Sequence, residues 1–282
     1  NQGYAAGVAG AMASANECSV RNIEVRALQQ HLVDVGSLPE EVLNHEDSFP
    51  LSTGDVTDAI ETLATAENPT QAGKPMAVIM SHPEQATPLL RDALDEAQGA
   101  SQILYAKILG FLGEKEVIPM LRPVLEMADE WDAKILQGAM AEYAHLPTPI
   151  DGLIMALGWP GDPGALDCIL DKLDMLDAGV TLSHHRAVAL ALEQIGDPAA
   201  AVPLSNLLHK PDMMGHVMTD IEPLYDLPRE RRRRTGALRE IVLARALYHC
   251  ADHDNLGRRV LEEYQQDVRG LFARHATAVL QG

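Results

Sequence analysis

GDPGALDCILDKL at residues 161–173 and GDPAAAVPLSNLL at residues 196–208 are the same sentence written twice: a Gly-Asp-Pro turn followed by apolar residues at helical spacing. Two looser copies, SHPEQATPLLRDAL from Ser81 and GEKEVIPMLRPVL from Gly113, carry the same order of turn and helix, and Ala251-Asp252 marks a weaker fifth. The turn starts lie 32, 48, 35 and 55 residues apart, an irregular period of the size that stacked helical repeats use. Before three of these turns lies another helical pattern: Ile103, Leu104, Ile108 and Leu109; Val188, Leu190, Ala191 and Ile195; and Leu243, Ala246 and Leu247. A helix, a short turn and a second helix form an antiparallel hairpin whose apolar face is buried only when a neighbour stacks on it. Pro119 and Pro203 fit this scheme in the first turn of each second helix, where a missing N–H has no intrahelical partner.

From Ser52 onward nearly every apolar cluster follows helical rather than alternating spacing, so the expected fold is all-α, with α-helical hairpin repeats forming an irregular solenoid. Thr53 or Asp55 caps a helix through Leu63, and Pro83 and Pro88 bracket the start of another element. Ahead of this body, Gly3 to Ala15 predicts a close-packing helix of small residues. The stretch VRNIEVRALQQHLVDVG predicts a second helix with Ile23, Ala27, Leu28, Leu32 and Val35 on its apolar face and Gly36 as its stop. Pro39 and HEDSFP then make a connector, giving a division into residues 1–50 and 51–282. The chain opens on NQGYAAGVAGAMASA without an initiator Met, as if already at the start of a helix, and reads as a piece of a longer protein.

With 282 residues and 46% hydrophobic side chains, the chain can bury a sizeable core, and neither disorder nor a disulfide miniprotein fits. The net charge of -19 disfavours bulk affinity for nucleic acid or anionic membrane. That charge is uneven: residues 229–282 hold 11 Arg against 7 acidic groups, five of the Arg in the run from Arg229 to Arg234, while the rest of the chain is strongly acidic. The run suits a carboxylate surface, the nearest being the repeat body itself, or the phosphates of a nucleic acid, or lies on a solvated helix start. Cys18, Cys168 and Cys250 have no metal spacing and read as separate thiols in a reducing compartment, with the cytoplasm as the expected location. No apolar stretch is long enough to cross a bilayer.

No GxGxxG after a strand, P-loop, HExxH or GxSxG is present, so no catalytic or metal residue is assigned. LRDALDE from Leu89 and DKLDMLD from Asp171 read as solvated helix faces. His184 and His185 fall at a helix N-terminus, His184 towards solvent and His185 packed. His249 and His253 are four apart, but the DNLG after them ends the helix first. Trp131 and Trp159, beside turn signals, are expected to pack in the core or on a ridge.

The opening NQGYAAGVAGAMASA with VRNIEVRALQQHLVDVGSLPEEVL resembles the end of the flavin domain in a family of bacterial FAD-dependent oxidoreductases, and the hairpins after about residue 75 resemble HEAT-type repeats. The first resemblance implies that residues 1–50 close a flavin domain whose last helix points its N-terminus at FAD. Asn1, Gln2 and Gly3 match the cofactor-facing end, Gly3 by permitting close approach and Gln2 by hydrogen bonding. The dinucleotide-binding glycines of that family are absent, so the chain alone is expected to hold no FAD and to turn over no substrate. Its implied partner is the upstream flavin domain or another protein. Two other readings stay open: an independent protein-binding scaffold, and an enzyme whose site is assembled from scattered Asp, Glu or His.

Overall fold

The computed structural model describes residues 2–46, 49–133, 146–221 and 234–282, and these fall into two compact units, Asn1–Ser52 and Thr53–Gly282. Every regular element among the described residues is helical.

In the first unit, α1 (Gln2–Ala15) is followed by a 3₁₀ turn at Val20–Asn22, α2 (Val25–Asp34) and a second 3₁₀ turn at Glu40–Asn44. The single helix expected from Val20 to Gly36 is therefore broken. Ile23 is extended, with φ −69° and ψ 154°, because Glu24 acts as an N-cap and its carboxylate accepts the Arg26 N–H at 2.9 Å. The stop at Gly36 is where the sequence puts it: φ is +70°, and the Ser37 N–H reaches back to the Leu32 carbonyl at 2.8 Å. Arg26 donates to the carbonyls of Val42 and Leu43, and Tyr4 Oη lies 2.9 Å from His31 Nε2. Hydrophobic burial is sparse. Ala9, Ala13 and Leu32 are buried, whereas Tyr4, Val20, Val25 and Val35 are each about half exposed.

The second unit opens with α3 (Thr53–Ala64), α4 (Pro69–Ser81) and α5 (Pro83–Glu96). Asn68 caps α4 by accepting the Gln71 N–H at 3.1 Å, and Pro88 lies inside α5 instead of marking its start. Only His82 separates α4 from α5, too little chain for an antiparallel return. This copy of the repeat is accordingly not a hairpin: α4 packs mainly on α3, and α5 lies across α3 and α6 (Ala100–Phe111).

From α6 onward a helix, a turn and a second helix recur, as the sequence predicts at Gly113, Gly196 and Ala251 and also at Gly161. The pairs are α6 and α7 (Ile118–Glu126), α8 (Pro149–Gly158) and α9 (Leu166–Asp174), α10 (Leu182–Ile195) and α11 (Ala201–Leu208), α12 (Thr235–His249) and α13 (Leu256–Tyr264), then α14 (Gly270–Gln281). The two members pack on each other in the first and last pairs, whereas α9 and α11 pack mainly on the first helix of the next pair. The two Gly-Asp-Pro turns are built alike. Gly161 and Gly196 adopt φ of +68° and +65°, Gly196 as the C-cap of α10 and Gly161 two residues beyond the Trp159 C-cap of α8. Asp162 and Asp197 then accept the N–H two residues on, at 2.7 and 2.8 Å, and Pro opens a 3₁₀ turn. Asp252 plays a related part in the degenerate copy, accepting the Gly257 and Arg258 N–H groups.

The helices α6, α8, α10 and α12 stack side by side as an inner row, and α7 leans on α8, α9 on α10 and α11 on α12. Inner neighbours meet along more of their length than outer ones do. Small residues make this possible: a Cβ on Gly110 would stand 2.5 Å from the Ala156 carbonyl oxygen, and one on Gly158 would stand 2.3 Å from the Ala191 Cβ. One core runs through the unit from Val56 to Ala276.

Buried charges fasten the segment after α11. The Glu240 carboxylate accepts the N–H groups of Gly215 and His216 and the Tyr264 hydroxyl, at 2.8 to 2.9 Å. Arg239 donates to the carbonyls of Ala178 and Asp212, both at 2.8 Å. Asp267 accepts the Met218 N–H and pairs with Arg269. The buried Glu240 carboxylate is thus met by backbone and by a hydroxyl, and Arg239 by backbone at both terminal nitrogens, while Arg239 Nε is buried without a partner among the described residues.

Candidate functional site

Gln2 and Gly3 form the first turn of α1 and both are exposed, while Asn1 lies outside the described residues. Helix geometry leaves the first N–H groups of α1 without intrahelical partners and gives that end a partial positive charge. A Cβ on Gly3, Gly7 or Gly10 would meet nothing within 4 Å, so this helix has room for another backbone to approach. The described residues supply no phosphate-binding glycine loop beside it. At most it is one wall of a cofactor site.

In the repeat unit the most polar buried cluster surrounds His184. Thr148 and Asp151 make a capping box at the start of α8, with the Thr148 N–H on Asp151 Oδ2 at 2.9 Å. The other carboxylate oxygen, Oδ1, lies 2.6 Å from His184 Nδ1. Trp131 stacks on the imidazole with ring centroids 4.4 Å apart, Lys172 Nζ stands 5.9 Å from the Trp131 ring, and Asp132 accepts the Ile150 N–H. Asp151 is fully buried and His184 is 1% exposed, which reverses the expectation that His184 faces solvent. The reason lies outside its own helix: α8 presents a carboxylate to the first turn of α10.

A paired Asp and His is also what a general base needs. Here, however, no hydroxyl or thiol among the described residues bonds the second ring nitrogen, and the ring has no open face for a substrate. The pair joins two helices. His185 Nδ1 and Nε2 stand 3.1 and 3.0 Å from the carbonyls of Thr181 and Asp177, and burial pulls it down to about 4, so at pH 7 the neutral ring donates to one of the two carbonyls only. No group of His, Cys, Asp and Glu among the described residues has the arrangement to hold a metal ion.

The remaining candidates scatter. α12 ends at His249, so His249 and His253 do not share a helix. Trp131 packs as expected, but Trp159 is 54% exposed at the end of α8. Residues 229–233 of the Arg run lie outside the described residues, and Arg234 sits just before α12. No described helix is long and apolar enough to cross a membrane.

The three thiols are free and separate. Burial pushes Cys168 up to about 11 and Cys250 up to about 12. Because the thiolate is the nucleophile, an aromatic disulfide reagent at pH 8 is expected to modify one thiol per folded chain, the partly exposed Cys18, and three in denaturant. Rapid reaction of two or more in the folded protein would contradict the packing around α9 and α12.

Residues 185–210, spanning most of α10 and all of α11, match the PBS lyase HEAT-like repeat family. No curated protein and no solved structure matches the chain. The chain is an all-α protein of stacked helices with a HEAT-like repeat signature.

Proposed function

We propose that the chain is a helical-repeat region of an FAD-dependent oxidoreductase, serving domain packing or protein interaction and performing no chemistry alone. The carrying observation is the imbalance of the first unit, which buries Ala9, Ala13 and Leu32 but exposes Tyr4, Val20, Val25 and Val35. So little buried apolar surface is a weak basis for independent stability and suits a segment completed by another domain. The resemblance of residues 1–43 to the end of a flavin domain supplies the identity of that domain. In this reading FAD supplies the electron transfer, and Asn1, Gln2 and Gly3 contribute N–H groups and close approach at one edge.

Expressed together with the coding sequence upstream of Asn1, the protein is expected to purify with flavin absorbance. Gly3→Leu and Gly7→Leu are expected to remove most of it while leaving the far-ultraviolet circular dichroism unchanged, since both glycines are exposed and a Cβ at either would meet nothing within 4 Å. The 282-residue chain alone is expected to release FAD on desalting. An initiator codon directly before Asn1, or stoichiometric FAD retention by this chain, overturns the reading.

A second reading, an independent scaffold, draws on Trp159 and Met127, large apolar side chains 54% and 74% exposed on the repeat unit. Partner contacts would then be the whole biochemical role, and the upstream coding sequence separates the two.

A further inference from the structure

The inner helices α6, α8, α10 and α12 are flanked by one another and backed by outer helices, so each keeps one stripe of side chains out of the core. On α8 the stripe includes Gly152 and Met155, on α10 Arg186, Leu190 and Glu193, and on α12 Val242 and Arg245, spaced three or four residues apart as one helix face requires. Neighbouring stripes adjoin. Lys107 Nζ of α6 lies 3.3 Å from where a Cβ on Gly152 would stand, and Arg245 Nε donates to Glu193 Oε2 at 2.7 Å.

Charge on this shared face runs against the rest of the chain. Acidic residues outnumber basic ones by 41 to 22, yet the only permanently charged side chains that these four helices leave outside the core are Lys107, Arg186, Glu193 and Arg245. Three of the four are cations, and the one carboxylate is already held by Arg245. Among the described residues no carboxylate pairs with Lys107 or Arg186. Both are partly buried, so neither is a freely hydrated surface charge. Burial holds the Lys107 ammonium below the ordinary lysine range against the opposing pull of Asp132. A cation so placed gains when a carboxylate reaches it. Gly152 leaves room for that approach, since a Cβ there would meet only the flexible end of Lys107.

We infer that this face binds an acidic segment of a partner protein, with carboxylates on Lys107 and Arg186 and apolar side chains on Met155 and Leu190. The assignment rests on the protein-interaction role proposed above and does not need the flavin parent. Charge complementarity names the occupant: two unpaired cations beside apolar side chains suit a short segment that mixes carboxylates with apolar residues. A nucleic acid would instead bring a continuous line of phosphates to a chain of charge -19.

Selection of a random dodecapeptide library against the full chain, followed by fluorescence anisotropy of the most enriched peptide, provides the test. The enriched peptides are expected to combine Asp or Glu with apolar residues. Lys107→Ala or Arg186→Ala is expected to weaken binding about tenfold, the worth of one charged hydrogen bond. Arg259→Ala, an equal loss of charge on the exposed face of α13, is expected to leave it within about twofold. Gly152→Glu is the most informative variant. It sets a carboxylate beside Lys107 Nζ and is expected to abolish binding without lowering the urea midpoint, because glutamate favours a helix more than glycine does and meets only a flexible side-chain end. No enrichment, basic or uncharged winners, equal weakening by Arg259→Ala, or tighter binding of a single-stranded oligonucleotide would each overturn the assignment. Any of these leaves the flavin reading standing, since flavin retention by the longer protein decides that separately.

Discussion

Replacing Asp151 with alanine is expected to lower the unfolding free energy of the repeat unit by about 2–5 kcal/mol, since each of two buried donors left without a partner costs about 1–3 kcal/mol. The carboxylate serves two donors at once, the Thr148 N–H and His184 Nδ1, and it is fully buried. Alanine leaves both without a partner where water cannot replace it, and an orphaned buried group costs far more than a net hydrogen bond contributes. Asp151→Asn should fall between, because one amide oxygen can accept from one donor while its NH₂ confronts the other. Urea melts of both variants followed by circular dichroism give the measurement. A loss under about 1 kcal/mol for alanine, no more than a single net hydrogen bond, would mean that α8 and α10 are not joined through this pair.

Gly158→Ala is expected to destabilise the same unit by about 2–3 kcal/mol, near the top of the usual range for overpacking. In a helix, alanine for glycine ordinarily gains about 1 kcal/mol, so steric conflict must overcome that gain. It does so because the new methyl would stand 2.3 Å from the Ala191 Cβ and 2.4 Å from its Cα, atoms that move only if α10 moves. Gly73→Ala in α4 is the matched control: nothing lies within 4 Å of its added carbon, and a small gain in stability is expected. If both substitutions shift the urea midpoint upwards, the close approach of α8 and α10 is wrong.

Around these two positions lie both the success of sequence reading and its limit. The hairpins are legible because their signals are local: Gly in a left-handed turn, Asp accepting the N–H two residues later, Pro opening the next helix. Asp151 carries no such mark, since an acidic residue three positions into a helix looks the same whether it caps a surface helix or bonds a histidine 33 residues away. The solvent-facing expectation for His184 fails for the same reason, its partner belonging to another hairpin. Asp92 and Glu96 do lie on an exposed face, as their spacing suggests. Together with α3 and α6 they border a half-open cavity of about 510 Å³, and no spacing within α5 announces it. The break at Ile23 escapes a reading of periodicity because the apolar spacing continues through it. Its signal is Glu24, a carboxylate placed to cap α2.

The unequal packing of the two rows has a mechanical consequence. α6, α8 and α10 touch through glycine and alanine, with scarcely any slack between backbones, and α12 packs along α10 as extensively as α8 does, while α7, α9, α11 and α13 lie over them with sparser mutual contact. In a stack of nearest-neighbour units, bending concentrates where neighbours hold each other least. The inner row is therefore the spine of a book and the outer helices are its pages: a load that changes curvature fans the pages while the spine keeps its length.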